Sequence, residues 1–258
     1  MRRLTLKVPA TPLDLPAAQQ TLADVLQRST HVTRLTTAYA PLSLLQHAFS
    51  MLQHTEPLPS PPLAYRLTHL TAMHLTADTL PVLGDCVNLQ HLDISGSRVG
   101  AGEGARMLAH ALRAMPALTY LGVAECGLGG EALAPALAGL GRLQHLHISQ
   151  NRLGAACARM LHGLHAAQGS ANGCIHGGLS GLLTLDVRSN AINDSMAPAL
   201  ASVLRKMPSL QRLLLTDNGL CGCDLADALR GLTDLQVGFV PSPQTPNPKT
   251  PKPQNPKT

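Results

Sequence analysis

Hydrophobic positions between residues 182 and 220 follow the same pattern twice, 28 residues apart. In each copy apolar residues stand at the first, fourth, sixth and eleventh places, and asparagine stands at the ninth, as Asn190 and Asn218. Alternation at the fourth and sixth places predicts a short strand with one buried face. Between the copies, Leu200, Leu204 and Met207 recur at helical spacing. The sequence therefore predicts a repeated strand–turn–helix unit.

The asparagine of each copy predicts a tight turn after the strand, because its side-chain amide can bond backbone groups that the turn leaves unpaired. Each strand–helix unit has an apolar face that it cannot bury alone, and stacking of successive copies buries that face. The predicted fold class is therefore α/β, with stacked units in a single array.

Weaker copies of the pattern occupy other parts of the chain. The matching positions are Leu70, Met73, Leu75, Asp78 and Leu80; Leu89, Leu92, Ile94, Ser97 and Val99; Leu118, Leu121, Val123, Cys126 and Leu128; and Leu143, Leu146, Ile148, Asn151 and Leu153. A last partial unit shows Leu232, Leu235 and Val237. Cys126 takes the asparagine place of its copy, so it is interpreted as a substitution within the repeat.

Three segments follow from this pattern. Residues 1–66 are the least regular and are predicted to be degenerate N-terminal repeats or a cap. Residues 67–240 form the predicted repeat domain. Residues 241–258 contain seven prolines and no acid, which predicts a disordered, Pro-rich basic tail. Within the array, the Gly-rich polar segment 168–178 is predicted to be an inserted loop.

Composition excludes several classes of function. No apolar run approaches the roughly 20 residues that span a bilayer, and the N-terminal residues do not form a secretory signal. A cytoplasmic location with six reduced cysteines is therefore expected. The formal charge of +5 includes three lysines of the last 18 residues, and without them 17 basic residues face 15 acidic ones. Nucleic-acid binding, which needs a concentrated basic surface, is not expected.

The residues Leu182–Leu220, and more loosely Leu70–Val237, resemble leucine-rich repeats of the ribonuclease-inhibitor type, with helical segments such as GARMLAHAL at 104–112. The resemblance implies a leucine-rich-repeat solenoid, with parallel strands on a concave face and helices on a convex face. It also implies a macromolecular partner. Ran GTPase-activating proteins share this repeat type, so GTPase activation is the alternative to a non-enzymatic protein-interaction scaffold.

The residues that flank the middle leucine of each strand are predicted to face the concave side. The candidate partner-binding residues are His91, Asp93, Tyr120, His145, His147, Asp186, Arg188 and Arg212. The same rule places His74 in the column of Asp93. Tyrosine and arginine are frequent hot-spot residues at interfaces. The insertion at 168–178 is the alternative binding site.

Histidines beside aspartates on this face would also suit a metal or an acid–base pair. The sequence has no recognisable catalytic motif beside them, so a hydrated polar sheet surface is the preferred interpretation. We therefore predict no catalytic residue, metal or cofactor.

Overall fold

One parallel sheet runs through the molecule, and its strand order follows the chain. The computed structural model describes residues 2–7, 32–38, 63–129, 133–134, 137, 139–166, 178–220 and 236–238. The sheet has nine strands in these residues: β1 (Arg2–Lys7), β2 (Val32–Ala38), β3 (His69–Ala72), β4 (His91–Asp93), β5 (Tyr120–Gly122), β6 (His145–His147), β7 (Thr184–Asp186), β8 (Arg212–Leu214) and β9 (Gln236–Gly238). Each unit thus adds one strand beside the previous one, as a stacked array requires.

The middle leucine of each strand fixes the register of the sheet. From β2 to β8 these residues pair in line and are buried: Leu35, Leu70, Leu92, Leu121, Leu146, Leu185 and Leu213. Because side chains alternate along a strand, the two neighbours of each leucine point to the opposite face. Strands β1 and β2 lie within the predicted segment 1–66, so the sheet continues across the proposed boundary at residue 66.

Helical segments cover the other side of the sheet. The α-helices with defined bounds are α1 (Leu63–Arg66), α2 (Glu103–Arg113), α3 (Ala155–Ala166) and α4 (Ala197–Leu204), and 3-10 helices span Ala77–Asp85, Gly178–Gly181 and Asp194–Met196. Leu133, Ala134 and Leu137 are also helical. Helix α4 lies between the two copies, where helical spacing predicted it, and it buries Leu200 and Leu204.

Asparagine forms the turn after three strands, at Asn151, Asn190 and Asn218, which we call the C-terminal slots. All three are buried. The Asn190 Oδ1 accepts the N–H groups of Asn151 at 3.0 Å and Leu153 at 3.4 Å, and its Nδ2 donates to the Ile148 carbonyl at 2.9 Å. The Asn218 Oδ1 in turn accepts the N–H groups of Asn190 and Ile192, both at 3.0 Å. The amides therefore form a ladder that joins one unit to the next.

Leu75, Ser97 and Cys126 take the equivalent positions in earlier units, and we call them the N-terminal slots. The Ser97 hydroxyl accepts the Leu75 N–H at 3.1 Å. The Cys126 thiol donates toward the carbonyls of Ile94 and Ala124, both at 3.3 Å. The interpretation of Cys126 as a repeat substitution is therefore confirmed.

The predicted register is wrong in the two outermost units of the pattern. Leu70 pairs with Leu92 and is the middle leucine of β3, whereas the sequence pattern made it the first. Met73 is accordingly exposed, and His74 lies after the strand in the turn, with φ +61°, so it is not in the column of Asp93. At the other end, Val237 pairs with Leu213 in the middle position that the pattern gave to Leu235. Extra leucines near both strands allowed the shifted match.

The residue before each slot has a left-handed backbone. These residues are His74, Gly96, Glu125, Gln150, Ser189 and Asp217, with φ between +52° and +75°. Gly127, Arg152 and Ala191, which follow three of the slots, are left-handed as well. Left-handed conformations cost non-glycine residues about 1 kcal/mol or more, so the hydrogen bonds of the slots must offset this cost.

Cys86, Cys126 and Cys157 are free and buried. Burial raises the pKa of the Cys86 and Cys157 thiols to about 12 and that of Cys126 to about 11. No helix in the described ranges is long and apolar enough to cross a membrane. Most of the 168–178 insertion and all of the 241–258 tail lie outside the described residues.

Candidate functional site

Polar and aromatic side chains form a column across the concave face, one from each strand. From β2 to β9 the paired residues are Arg34, His69, His91, Tyr120, His145, Thr184, Arg212 and Gln236. Neighbouring strands lie about 4.8 Å apart, so the strand pairing predicted for His91, Tyr120 and His145 is confirmed. Arg34 and His69 extend the column, and the sequence analysis missed them because it shifted the register of their units.

Four rings in this column lie against one another, and we call them the ring ladder: His69, His91, Tyr120 and His145. The His69 and His91 rings stack with centroids 5.5 Å apart, and His91 stacks on Tyr120 at 4.0 Å. Tyr120 also lies 6.2 Å from His145, in a tilted arrangement. Because stacking covers the ring faces, the edges and polar atoms are what a partner would meet.

Partial burial keeps the ladder histidines neutral at physiological pH. Burial lowers the pKa of His69, with a smaller contribution from the nearby Arg34 charge. Burial also lowers the pKa of His91, and neighbouring His69 adds to this effect while Asp93 opposes it. His145 follows the same rule, with burial first and the nearby His147 second. Protonation of any one ring disfavours protonation of its neighbours.

A second column runs beside the first and contains Asp93, Gly122, His147 and Asp186. Asp93 leans over Gly122, where a Cβ atom would come 2.5 Å from the Asp93 Oδ1. The same oxygen accepts the Ser95 N–H at 3.1 Å. Any side chain at residue 122 would therefore displace Asp93, which makes this glycine a spatial requirement.

Asp186 is covered by its own partners. Its Oδ1 accepts Arg188 Nε–H at 2.9 Å, its Oδ2 accepts Arg188 Nη2–H at 2.7 Å, and the His147 Nδ1 lies 3.6 Å from Oδ2. Burial alone would raise the pKa of Asp186, but the contacts with His147 and Arg188 outweigh it and hold that pKa well below its usual range. Only 2% of the side chain is exposed. A partner would therefore touch Arg188 and His147, while Asp186 holds them in place.

Arg212 differs from Arg188 because it forms no ion pair with any residue that the structure describes. Its side chain is exposed beside a groove of about 470 Å³. The groove is lined by His145, Leu183, Thr184, Gln211, Arg212 and Gln236. Of the eight candidate residues, His145 and Arg212 thus share one concave groove.

The arrangement is suited to recognition. Within the described ranges no group of three His, Cys, Asp or Glu side chains could hold a metal ion. His147 and Asp186 do come together, as an acid–base pair would, but Arg188 occupies both carboxylate oxygens of Asp186. The roles of the candidate residues in binding a partner stay a prediction.

Neither a protein-family model nor a curated protein matches this chain. Among solved structures, an internalin (inlF) of Listeria monocytogenes matches with a TM-score of 0.50 and 13% identity, over 85% of this chain and 57% of that chain. An internalin C2 of the same organism gives a TM-score of 0.48 at 18% identity, over 91% of this chain and all of the other. A Bacteroides fragilis protein gives 0.49 at 14%, over 91% of this chain and 73% of its own.

The first match shows the fold. Together with the parallel sheet in chain order, it confirms that the fold is an α/β leucine-rich-repeat solenoid, with strands on the concave face and helices on the convex face. The chain spans little more than half of that internalin.

Proposed function

We propose that this protein is a non-enzymatic interaction scaffold that binds a protein partner through the concave face of the solenoid. The carrying observation is that the ring ladder and the exposed Arg212 lie on one continuous column of that face. Tyrosine and arginine together supply much of the binding energy at known interfaces. The stacked rings are already ordered, so binding would lose little side-chain entropy there.

The repeat subtype and the location belong to the same proposal. Strand–helix units with α-helices of 11 and 12 residues, α2 and α3, support the ribonuclease-inhibitor type. Buried free thiols at Cys86, Cys126 and Cys157 support a reducing, cytoplasmic environment. The segments 1–66, 67–240 and 241–258 stay proposed divisions of the chain, with strands β1 and β2 in the first of them.

Affinity capture with quantitative mass spectrometry tests the scaffold. Binding of the captured protein should then weaken by about 2–4 kcal/mol in a Tyr120→Ala, Arg212→Ala double variant, or about 30- to 1,000-fold in Kd. The matched control is Arg106→Ala with Arg205→Ala, because both arginines are exposed outside the strands, next to the convex side. The control should bind like the unchanged chain, and both variants should keep nearly the same thermal midpoint.

Two results would overturn the proposal. Loss of binding in the control variant but not in the concave variant would move the site to the helices. Loss only when 168–178 is replaced by a short linker would move it to the insertion. GTP hydrolysis by a panel of small GTPases, stimulated by this protein and lost on one arginine substitution, would show an enzyme instead of a scaffold.

A further inference from the structure

Arg212 and His145 stand on either side of Thr184, and together they form the polar part of the concave groove. The three residues pair in register on β6, β7 and β8, so Thr184 lies about 4.8 Å from each neighbouring strand. Gln211 and Gln236 line the same groove of about 470 Å³. A guanidinium, a hydroxyl, an imidazole and two amides, all able to donate hydrogen bonds, thus surround one space.

The nearby acids do not already fill this donor set. Asp186 is the carboxylate closest along the strand, two residues after Thr184, but both of its oxygens accept hydrogen bonds from Arg188. Asp93 lies on β4 and bonds the Ser95 N–H. Arg212 makes no ion pair with a described residue. The groove therefore presents a cationic group whose charge is not neutralised within the described chain.

The geometry points to a carboxylate-binding groove at His145, Thr184 and Arg212, which takes an acidic side chain of a protein partner. This inference rests on the proposed function, because it names the chemistry by which the concave face would recognise its partner. The planar guanidinium of Arg212 suits a carboxylate in a two-point contact. With the carboxylate above Thr184, His145 would approach it from the opposite side.

An acidic peptide fits this face better than a nucleic acid does. Outside the last 18 residues the chain has 17 basic residues against 15 acidic ones. Binding of a phosphate backbone requires several lysines or arginines side by side. Here Arg34 and Arg212 stand at opposite ends of the ring ladder, six strands apart, and the rings between them are neutral at pH 7.

Carboxylate binding should be coupled to proton uptake at His145. The charged or titratable groups around His145 are Tyr120 on β5, His147 on its own strand, Asp186 with Arg188 on the side of β7, and Arg212 on β8. Burial and His147 lower the pKa of free His145. A bound carboxylate raises it again, since an opposite charge favours the protonated ring. Affinity therefore rises as pH falls through the bound-state pKa and levels off below the free-state pKa.

The test uses the full chain and two synthetic probes, acetyl-tetraglutamate amide and acetyl-tetraglutamine amide. Binding is followed by the ring signals of histidine in NMR, with His145 assigned by a His145→Gln variant. We expect tetraglutamate to bind more tightly than tetraglutamine and to shift the His145 signal. Between pH 7.5 and 5.5, where glutamate stays largely ionised, its affinity should rise about threefold to tenfold.

Variants separate the two groups of the groove. Arg212→Gln should weaken tetraglutamate binding about tenfold or more, because it removes a charge-assisted contact. Arg205→Gln, an exposed arginine after α4, is the matched control and should change nothing. His145→Gln should abolish the pH dependence and leave the affinity at pH 7.5 within about twofold.

Equal binding of both probes, an unchanged affinity in Arg212→Gln, or tighter binding of single-stranded oligothymidylate than of tetraglutamate would each overturn the inference. These failures are distinguishable from failure of the scaffold. If Tyr120→Ala alone abolishes partner capture while tetraglutamate does not bind, the scaffold stands and the carboxylate groove does not. If tetraglutamate binds as expected while partner capture ignores the concave face, the opposite holds.

Discussion

The slots in the two halves of the solenoid occupy the same place in the repeat but contain different side chains. In the C-terminal slots each asparagine accepts N–H groups of the previous unit and also donates to carbonyls. In the N-terminal slots Ser97 accepts and Cys126 donates, while Leu75 has no polar side-chain atom. The N–H of Ser97 bonds instead to the Ile94 carbonyl at 3.2 Å, within its own turn.

This difference shows which part of the turn the fold requires. Both halves keep the left-handed residue before the slot and the buried leucine column. Local turn bonds can therefore replace the ladder between units, but they do not join a unit to its neighbour. We expect the C-terminal half to owe more of its stability to hydrogen bonds between units.

The largest effect is expected at the centre of the ladder. Asn190→Ala should lower the free energy of unfolding by about 1–3 kcal/mol, because buried N–H groups of Asn151 and Leu153 lose their acceptor. Asn218→Ala should behave alike. Urea denaturation measures both, with Asn88→Ala as control, since Asn88 is exposed and makes one bond to the Tyr65 carbonyl. Midpoints equal to that of the control would mean that the ladder does not stabilise the fold.

The halves also differ in their aspartates, and Asp186→Asn should cost about 1–2 kcal/mol at pH 7, since Arg188 stays partly exposed. The contacts that lower the pKa of Asp186 stabilise the fold above the unfolded value of about 3.9, and this contribution is lost as pH falls toward the lower folded pKa. Denaturation of both chains between pH 7 and pH 2 checks this. A gap that stays constant over the whole range would contradict it; Asp93→Asn is the counterpart in the other half.

Conversion of an N-terminal slot should have the opposite sign. Cys126→Asn should raise the free energy of unfolding by about 1 kcal/mol, because the new amide could accept N–H groups of the Ser97 turn and still donate to Ile94. Cys126→Ala should lower it by a similar amount. Urea midpoints of the three chains give the answer, and a loss in both variants would show that the sulfur is required for packing.

The smallest effect concerns the backbone beside a slot. Ala191 has φ +56°, where Gly127 has φ +67° beside the Cys126 slot. Ala191→Gly should stabilise the fold by about 0.5–1 kcal/mol, since glycine adopts this conformation without strain. Thermal midpoints check it against Ala199→Gly in α4, which should destabilise by about 1 kcal/mol. Destabilisation by both changes would show that the left-handed turn is not strained.

The fold could be predicted from the sequence because the leucine column and the asparagines repeat wherever one unit packs on the next. Leu121, Leu146 and Leu185 pair as the pattern predicts. The pattern was wrong at Leu70 and Val237, where additional leucines matched equally well in a shifted position. Register at the ends is set by pairing with a single well-defined neighbour, and a pattern within one unit carries no information about that pairing.

The candidate site could be predicted only as a set of positions. Alternation along a strand places Tyr120, His145 and Arg212 on one face without any knowledge of contacts. It does not show that His91 stacks on Tyr120, or that Asp186 is covered by Arg188. Those contacts depend on rotamers of side chains from different units, and neighbouring strands here are separated by 25 or more residues of sequence.

The ring ladder also gives this protein an optical signal of its own. The chain has no tryptophan and three tyrosines, so its near-ultraviolet emission comes from tyrosine. Tyr120 lies 4.0 Å from His91, and a protonated imidazole quenches tyrosine emission more strongly than a neutral one. The difference spectrum between the unchanged chain and Tyr120→Phe would therefore report protonation and occupancy of the concave face in unlabelled protein.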